Sequence, residues 1–322
     1  MSLTAEQLDH FQRAGYVVAR NVLIPGEDLQ PVIDEYAEVL DRMARRMHAD
    51  GEIRSIYADL PFEQRAIAIV KDAGALDQQA FDISFPAHSA LKPDTGFHFG
   101  PAVFGLLRNR RLLDAVESIL GPEVTSNPIQ HVRMKVPEHL IHPDKRTSLN
   151  AQTGWHQDNG VVQTEADSSD LLTVWFPLTE SSLRNGCLMV VPRSHVEGLR
   201  VHCSDARQSQ IPTQLVPKER IRPLPMSPGD VLFMHQRCMH ASLANVSDEI
   251  RWSLDIRYHP TGQPSGRDYY PSFVARSRAN PDSELRDPDA WRRSWLDVRQ
   301  RILAINQPLG SDRWDGTHEL CA

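Results

Sequence analysis

The residues with the clearest chemical potential lie in a short segment, Trp155-His156-Gln157-Asp158. His156 and Asp158 are two positions apart, so on an extended strand both side chains leave the same face and can bind one metal ion. Such a pair is common by chance and more often forms a surface hydrogen bond than a metal site. The segment is therefore a weak indication of a metal by itself, and it needs a third ligand from elsewhere in the chain.

A second segment supplies that ligand. His240 follows an apolar run that begins at Pro228-Gly229-Asp230, and Arg251 comes eleven residues after His240. Two histidines and one carboxylate form the facial triad of non-haem Fe(II) oxygenases, which leaves open positions for a bidentate co-substrate and for O2. A buried guanidinium pairs with a planar carboxylate at two points. The pattern predicts an Fe(II) site at His156, Asp158 and His240, with Arg251 holding a dicarboxylate such as 2-oxoglutarate.

The residue pattern leaves two alternatives open. His235 lies in the same run as His240 and is another possible third ligand. Arg251 follows Asp248 and Glu249, beside which it would be an ordinary surface charge.

The elements that must position these residues begin near residue 124. Short β-rich runs, separated by Pro, Gly and Asn, read HVRMKVP, LLTVWFPL, CLMVVP, DVLFM and RWSLDIRYH. They predict an antiparallel sandwich or barrel, because parallel α/β units would need a helix between strands. We expect a mainly β jelly roll, with the stretch 196–222 covering one mouth of the barrel.

Helical patterns flank this β region. They begin after Thr4, at Pro25, near Phe104 and after Asp287-Pro288. Thr4 and Gln7 form a capping-box pattern, and Gly15 predicts the end of this opening helix before a short strand at 16–18. The third pattern predicts one helix from about residue 104 to 120. These helices would form a supporting layer and a C-terminal helix around the barrel.

Length and composition fit one globular domain. The chain has 322 residues, of which 40% are hydrophobic and 24% charged, which is ordinary for a globular fold. No repeat or linker divides it. We expect a single domain over 1–322, with mostly helical support in 1–122, the β-helix core in 123–260, and a C-terminal loop and helix in 261–322.

Charge and cysteine usage limit the partners and the compartment. A formal net charge of −7 gives no general basic surface for nucleic acid or an anionic membrane. No long apolar stretch or export signal is present, which predicts a cytoplasmic protein with a small-molecule partner. Nothing in the sequence sets the oligomeric state. Cys187, Cys203, Cys238 and Cys321 are far apart without a CxxC pair, so we predict free thiols.

Several motifs, in order, resemble the phytanoyl-CoA dioxygenase family of Fe(II)/2-oxoglutarate-dependent oxygenases. LTAEQLDHFQRAGYVVARNVL is similar to that family's N-terminal helix and strand, and WHQD to its first metal motif. NGCLMVVPRSH is similar to its mid-barrel turn and strand, and MHASLANVSDEIRWSLDIRY to its distal motif. The resemblance spans roughly residues 3–260. It implies a double-stranded β-helix, a cupin-like jelly roll, with helices packed outside.

The resemblance also implies roles for individual residues. His156, Asp158 and His240 would be the metal ligands, and Arg251 would bind the far carboxylate of 2-oxoglutarate. His240 is preferred over His235 because its distance to Arg251 and the following Ala-Ser match the family. Positions that match the co-substrate pocket or a frequent family lysine are Ser242, Trp175, His131 and Lys135. Candidates for the substrate cavity are His98, Gln157 and Arg257.

The resemblance implies hydroxylation of a small-molecule C–H bond, with release of succinate and CO2. Family members with a small residue in place of Asp158 leave room for a halide, so a carboxylate favours hydroxylation, or a related desaturation, epimerisation or ring closure. Two other classes remain. One is a binding module with a vestigial or zinc-filled site, and the other is a zinc hydrolase, which lacks an obvious general base here. The loops that would select the substrate carry no readable code.

Overall fold

The structure is a computed structural model that describes residues 2–86, 90–204, 209–305, 313–314 and 316–321. The helices are α1 (Ala5–Ala14), α2 (Gln30–Ala49), α3 (Phe62–Ala73), α4 (Pro101–Leu107), α5 (Arg110–Leu120) and α6 (Pro288–Leu303). The strands are β1 (Tyr16–Ala19), β2 (Glu123–Ser126), β3 (His131–Lys135), β4 (Leu172–Pro177), β5 (Leu188–Val190), β6 (Cys203–Ser204), β7 (Ser209–Gln210), β8 (Arg222–Leu224), β9 (Val231–His235), β10 (His240–Ser242), β11 (Arg251–Pro260) and β12 (Phe273–Ser277).

Two antiparallel sheets form the predicted jelly roll. The larger has the order β1-β9-β4-β11-β2-β12, with β3 also paired to β11, and the smaller has the order β10-β5-β8. Apolar side chains from both sheets pack together between them, among them Trp175, Leu188, Val190, Leu232 and Met234. These apolar contacts therefore exclude water from the part of the barrel interior that they fill.

Strand β11 is the element on which the interior depends. It pairs with β4 on one side and with β3 and β2 on the other, and every residue from Arg251 to His259 is buried. Successive side chains of a strand point to opposite faces. The side chains at every second position from Trp252 to Tyr258 lie on one face and join the large apolar core. The other face carries the charged residues Arg251, Asp255 and Arg257 into the barrel.

The helical layer covers the apolar face of β11. Trp252 stacks on Phe62 of α3 at 4.5 Å and meets the edge of Tyr36 of α2 at 5.4 Å between ring centroids. Glu35, next to Tyr36, accepts hydrogen bonds from the N–H groups of Ala102 and Val103 and so caps α4. The helices thus hold the outer face of the strand that carries the interior charges.

The sequence predicted several elements correctly and others incorrectly. The capping box of Thr4 and Gln7 and the C-cap at Gly15 (φ 81°) are confirmed, and the five β-rich runs correspond to β3, β4, β5, β9 and β11. The single helix predicted over 104–120 is wrong. The chain breaks there into α4 and α5, because Asn109 caps a new helix by accepting from the N–H of Leu112 at 3.1 Å. Helix α3 was not predicted.

The cysteine prediction needs correction. A disulfide joins Cys203 and Cys321, which are 118 residues apart in sequence, while Cys187 and Cys238 are free and buried. Spacing gave no signal because the partners meet only after the C-terminal segment has folded back onto the barrel. In the part of the chain that the structure describes, no helix is long and apolar enough to cross a membrane.

Candidate metal centre

A backbone contact brings the two candidate histidine ligands together. His156 and His240 form an isolated antiparallel bridge, in which each amide donates to the other's carbonyl at 3.0 Å. Residues opposed in this way project their side chains to the same side. Their ring centroids consequently lie 4.1 Å apart.

Asp158 completes the cluster across one extended residue. Gln157 has φ −117° and ψ 136°, and the chain then turns at Asp158–Gly160. His156 Nε2 lies 4.0 Å from Asp158 Oδ1. One ligand atom from each of the three residues lies within 4.8 Å of the others. The predicted chelate geometry is present, although strand pairing is limited to the bridge at His156.

Both imidazoles are oriented by backbone carbonyls. Nδ1 of His156 bonds the carbonyl of Gly154 at 2.9 Å, and Nδ1 of His240 bonds that of Cys238 at 3.0 Å. A proton held on Nδ1 leaves Nε2 free to bind a metal. Burial, together with nearby His240, lowers the pKa of His156 to about 3, so this ring is neutral at pH 7. Two imidazoles and one carboxylate are a donor set that fits Fe(II).

Asp158 is held by a buried cation and a hydroxyl. Arg257 donates to one of its oxygens, and Thr173, opposite Arg257 in the sheet, donates to the other. Burial alone would raise the pKa of Asp158, but the Arg257 guanidinium holds it far below its ordinary value. Asp158 is therefore an ionised carboxylate. Nη1 of Arg257 donates to the carbonyl of Ile129 at 3.0 Å, and the expected place of Arg257 in the substrate cavity stays a prediction.

Arg251 lies fully buried beside the cluster. Its Nη1 donates to Ser253 Oγ at 2.6 Å, and its guanidinium carbon lies 5.5 Å from the centre of the Trp175 ring. Its Nε and Nη2 atoms have no hydrogen-bond acceptor among the described residues. Burial, and then the charge of Arg133, lowers the pKa of Arg251 to about 9. The surface-charge alternative is wrong, because this side chain is 0% exposed.

Lys135 is a second buried basic side chain without a carboxylate partner within the described ranges. It stands opposite Arg251 in the register of β3 and β11. Its Nζ donates to Thr153 Oγ1 at 2.8 Å and to Ser242 Oγ at 2.5 Å. Burial, reinforced by Arg251, lowers the pKa of Lys135 well below its ordinary value. Ser242 thus contacts Lys135 rather than standing free in the cavity.

Some of these groups line one narrow cavity. Its lining includes both histidines, Arg251, Trp175 and Met234. Arg133, which pairs with Asp255 at 2.9 Å, lines this cavity and also a larger one of about 700 Å3. Residues of the larger cavity include Phe85, His131, Leu149, Arg267, Tyr269 and Tyr270.

Three predicted site residues lie elsewhere. His131 bonds Asp82 at 2.9 Å through Nδ1 and lines the larger cavity, not the narrow one. His98 bonds Glu35 at 2.8 Å in the helical layer. The Gln157 amide donates to the carbonyls of Gly198 and Arg237. His98 and Gln157 are not among the lining residues of these two cavities, and their expected substrate role stays a prediction.

Sequence reasoning missed the residues that support the cluster, which are Thr153, Thr173, Ser253 and Asp255. A signal was present, since the polar residues at 251, 253, 255 and 257 alternate with apolar ones in RWSLDIRY. A strand that carries apolar side chains on one face and charged side chains on the other, and that lies away from solvent, indicates a polar interior. His235 is not in the ligand cluster, and its Nδ1 accepts from the N–H of Arg237 at 3.0 Å.

We predict that Arg257 controls metal affinity through Asp158. Arg257→Met removes the cation and leaves a buried carboxylate without its partner, so Fe(II) affinity should fall about 10- to 100-fold. Thr173→Val, which removes one hydroxyl, should cost less. Anaerobic competition with a chromophoric chelator measures both, with circular dichroism as the check on folding. A folded Arg257→Met protein that binds Fe(II) within about threefold of wild type would contradict this role.

Comparisons with known proteins agree with the geometry. The sequence profile of the phytanoyl-CoA dioxygenase family matches residues 11–253. Phytanoyl-CoA dioxygenase domain-containing protein 1 from Bos taurus is 24% identical over 265 residues, covering 77% of this chain and 87% of the relative. Ectoine dioxygenase from Bordetella parapertussis is 24% identical over 277 residues, covering 80% of this chain and 76% of the relative.

A solved structure shares the fold. The apo form of the non-heme monooxygenase ThoJ superposes with a TM-score of 0.57 at 17% identity, covering 92% of this chain and 97% of that protein. This similarity concerns the arrangement of strands and helices. The family profile, which spans most of the chain, supplies the assignment: the chain belongs to the phytanoyl-CoA dioxygenase family.

Proposed function

We propose that this protein is an Fe(II)- and 2-oxoglutarate-dependent oxygenase that hydroxylates an unactivated C–H bond of a small-molecule metabolite, with release of succinate and CO2. The observation that carries the proposal is that two members of the three-ligand cluster, His156 and His240, line one cavity with the buried guanidinium of Arg251, which has two donors without an acceptor among the described residues. His156, Asp158 and His240 would hold the iron. Arg251 would hold the far carboxylate of 2-oxoglutarate.

The metal and co-substrate, when bound, supply the oxidising chemistry that activates O2. The chain's own residues would bind and orient the metal and the co-substrate. Gly154 and Cys238 keep the imidazoles turned toward the ligand position, and Arg257 keeps Asp158 ionised. Asp158 fills the third protein ligand position, which supports hydroxylation, or a related desaturation, epimerisation or ring closure, over halogenation.

The charges beside the cluster support a dicarboxylate in particular. In the part of the chain that the structure describes, Arg251 has two buried donors without acceptors, and the hydrogen-bond partners of Lys135 are hydroxyl groups. A carboxylate bound at two points by Arg251 would satisfy both donors at once. Trp175 and Met234 line the cavity beside Arg251, and excluding water there would strengthen the contact.

We assign the larger cavity to the substrate. Its volume of about 700 Å3 falls in the range of small-molecule sites. Arg133 lies in the walls of both cavities, so a substrate there would approach the metal side of the barrel. The aromatic rings of Phe85, Tyr269 and Tyr270 offer apolar contact, and His131, held by Asp82, offers a polar one.

A cytoplasmic location stays a prediction. Four free thiols would favour a reducing compartment, and the Cys203–Cys321 disulfide removes that support.

We predict that the metal and co-substrate bind together at His240 and not at His235. Anaerobic addition of Fe(II) and 2-oxoglutarate should give the weak visible charge-transfer band of a chelated keto acid. His240→Ala should abolish the band, because it removes a ligand, whereas the neighbouring His235→Ala should retain it. Difference absorption spectra make the comparison. Loss of the band in both variants, or in neither, would contradict the ligand assignment, and a wild-type protein without a band would favour the binding-module alternative.

We predict that filling the larger cavity impairs the response to substrate and leaves co-substrate binding unchanged. Leu149→Trp adds an indole to the wall of that cavity and should reduce substrate-stimulated succinate release more than tenfold, while the 2-oxoglutarate dissociation constant stays unchanged. Fractionated metabolite extracts provide the stimulus, and Leu183→Trp, at a position 54% exposed, is the control. Equal stimulation in Leu149→Trp and wild type would remove this cavity as the substrate site.

A further inference from the structure

The C-terminal end of the chain lies against the segment that carries two of the metal ligands. We call residues 313–314 and 316–321 the C-terminal strap. Trp314 donates from its indole nitrogen to the carbonyl of Gly160 at 2.6 Å, and Arg313 pairs with Asp167 at 2.6 Å. Cys321 is disulfide-bonded to Cys203. The strap therefore contacts the turn that directly follows Asp158.

His202 connects the strap to the ligands. Its ring is 0% exposed and stacks on Trp314 at 5.3 Å with an interplanar angle of 25°. Its Nε2 accepts from the N–H of Gln157 at 3.0 Å, while Nδ1 bonds the carbonyl of Arg200 at 2.9 Å. Gln157 is the residue between His156 and Asp158. His202 thus fixes the backbone that spaces these two ligands.

Close packing makes this contact sensitive to the position of the ring. A Cβ atom at Gly160 would lie 2.2 Å from His202, so the imidazole rests directly on the turn. The Gln157 side chain binds the same loop, because its oxygen accepts from the N–H of Arg200 at 2.7 Å and its nitrogen donates to Gly198 at 2.9 Å. A shift of the loop that carries His202 would move the ligand segment with it.

We propose that His202 is a positioning residue for the metal ligands, and that the Cys203–Cys321 disulfide holds it in place, so that reduction of the disulfide weakens metal binding. The inference rests on the proposed function, since it takes the cluster to be an Fe(II) site. Cys203 is next to His202 in sequence, so the bond fixes the strap and the ring together. The contacts that would still hold the strap without it include those of the Arg313 and Trp314 side chains.

The redox step requires a dithiol as reductant. One of its thiolates attacks a sulfur of the disulfide and forms a mixed disulfide, and its second thiolate then displaces the remaining protein sulfur. Two electrons pass to Cys203 and Cys321, which take up protons as thiols, and the reductant becomes a disulfide. Both cysteines are partly exposed. Cys187 and Cys238 are fully buried, and burial raises the pKa of Cys238 to about 12, so neither competes.

The first test compares oxidised and reduced wild-type protein. Protein is reduced with dithiothreitol, desalted anaerobically, and titrated with Fe(II) against a chromophoric chelator. We expect the dissociation constant to rise at least threefold on reduction. Cys203→Ser should match the reduced wild type and should not respond to dithiothreitol. A change of less than threefold in the wild type would overturn the redox part of the proposal.

The second test separates positioning from packing. His202→Gln keeps an acceptor near the position of Nε2, whereas His202→Leu keeps the bulk and leaves the N–H of Gln157 unpaired. We expect His202→Leu to weaken Fe(II) binding by about tenfold, and His202→Gln to stay within threefold of wild type, with Glu319→Ala on the exposed side of the strap as control. Equal behaviour of the two His202 variants would overturn the positioning role. A wild-type protein that binds no Fe(II) would instead contradict the proposed function itself.

Discussion

An excess of buried positive charge governs the interior of this barrel. The charged side chains there are Arg133, Lys135, Arg251 and Arg257 against Asp158 and Asp255. Three guanidinium groups against two carboxylates leave one positive charge, and Lys135, whose pKa burial lowers well below its ordinary value, adds a second only when it is protonated. An unpaired buried charge costs several kcal/mol, so the protein pairs what it can: Asp158 takes Arg257 and Asp255 takes Arg133. The remaining pair, Arg251 and Lys135, faces hydroxyl groups, and burial lowers the pKa of both. A dianionic co-substrate would balance this buried positive charge, and a bound divalent metal would add to the positive charge that must be balanced.

The architecture keeps these buried charges away from water. Strand β11 can carry Arg251, Asp255 and Arg257 inward only because β3 and β4 pair with it on both edges and the helical layer covers Trp252 on its outer face. The metal ligands need a different device. The bridge between His156 and His240 joins the end of β10 to a segment that belongs to neither sheet. That segment needs support from outside the barrel, which His202 provides.

Short sequence patterns predicted the features that depend on residues close together in the chain. Alternation in RWSLDIRYH and the H-x-D spacing indicated the strand and the chelate, and the motif resemblance selected His240 over His235. The partners of Arg257 and His131 could not be read in the same way. Arg257 meets a carboxylate 99 residues away, and His131 is taken by Asp82 from the helical third of the chain. Such pairs depend on strand register and helix docking, which no short window of sequence contains.

The most direct test of the account is the 2-oxoglutarate dissociation constant of wild type, Arg251→Lys and Arg251→Ala at fixed salt, with iron content measured in parallel. Removal of the guanidinium leaves the far carboxylate desolvated and unpaired, which costs about 3 to 5 kcal/mol, or roughly two to three and a half decades of affinity. Lysine should recover only part of this loss, because an ammonium lacks the two-point contact, and iron content should hold. A folded Arg251→Ala protein that binds 2-oxoglutarate within about threefold of wild type, roughly 0.6 kcal/mol, would contradict the account.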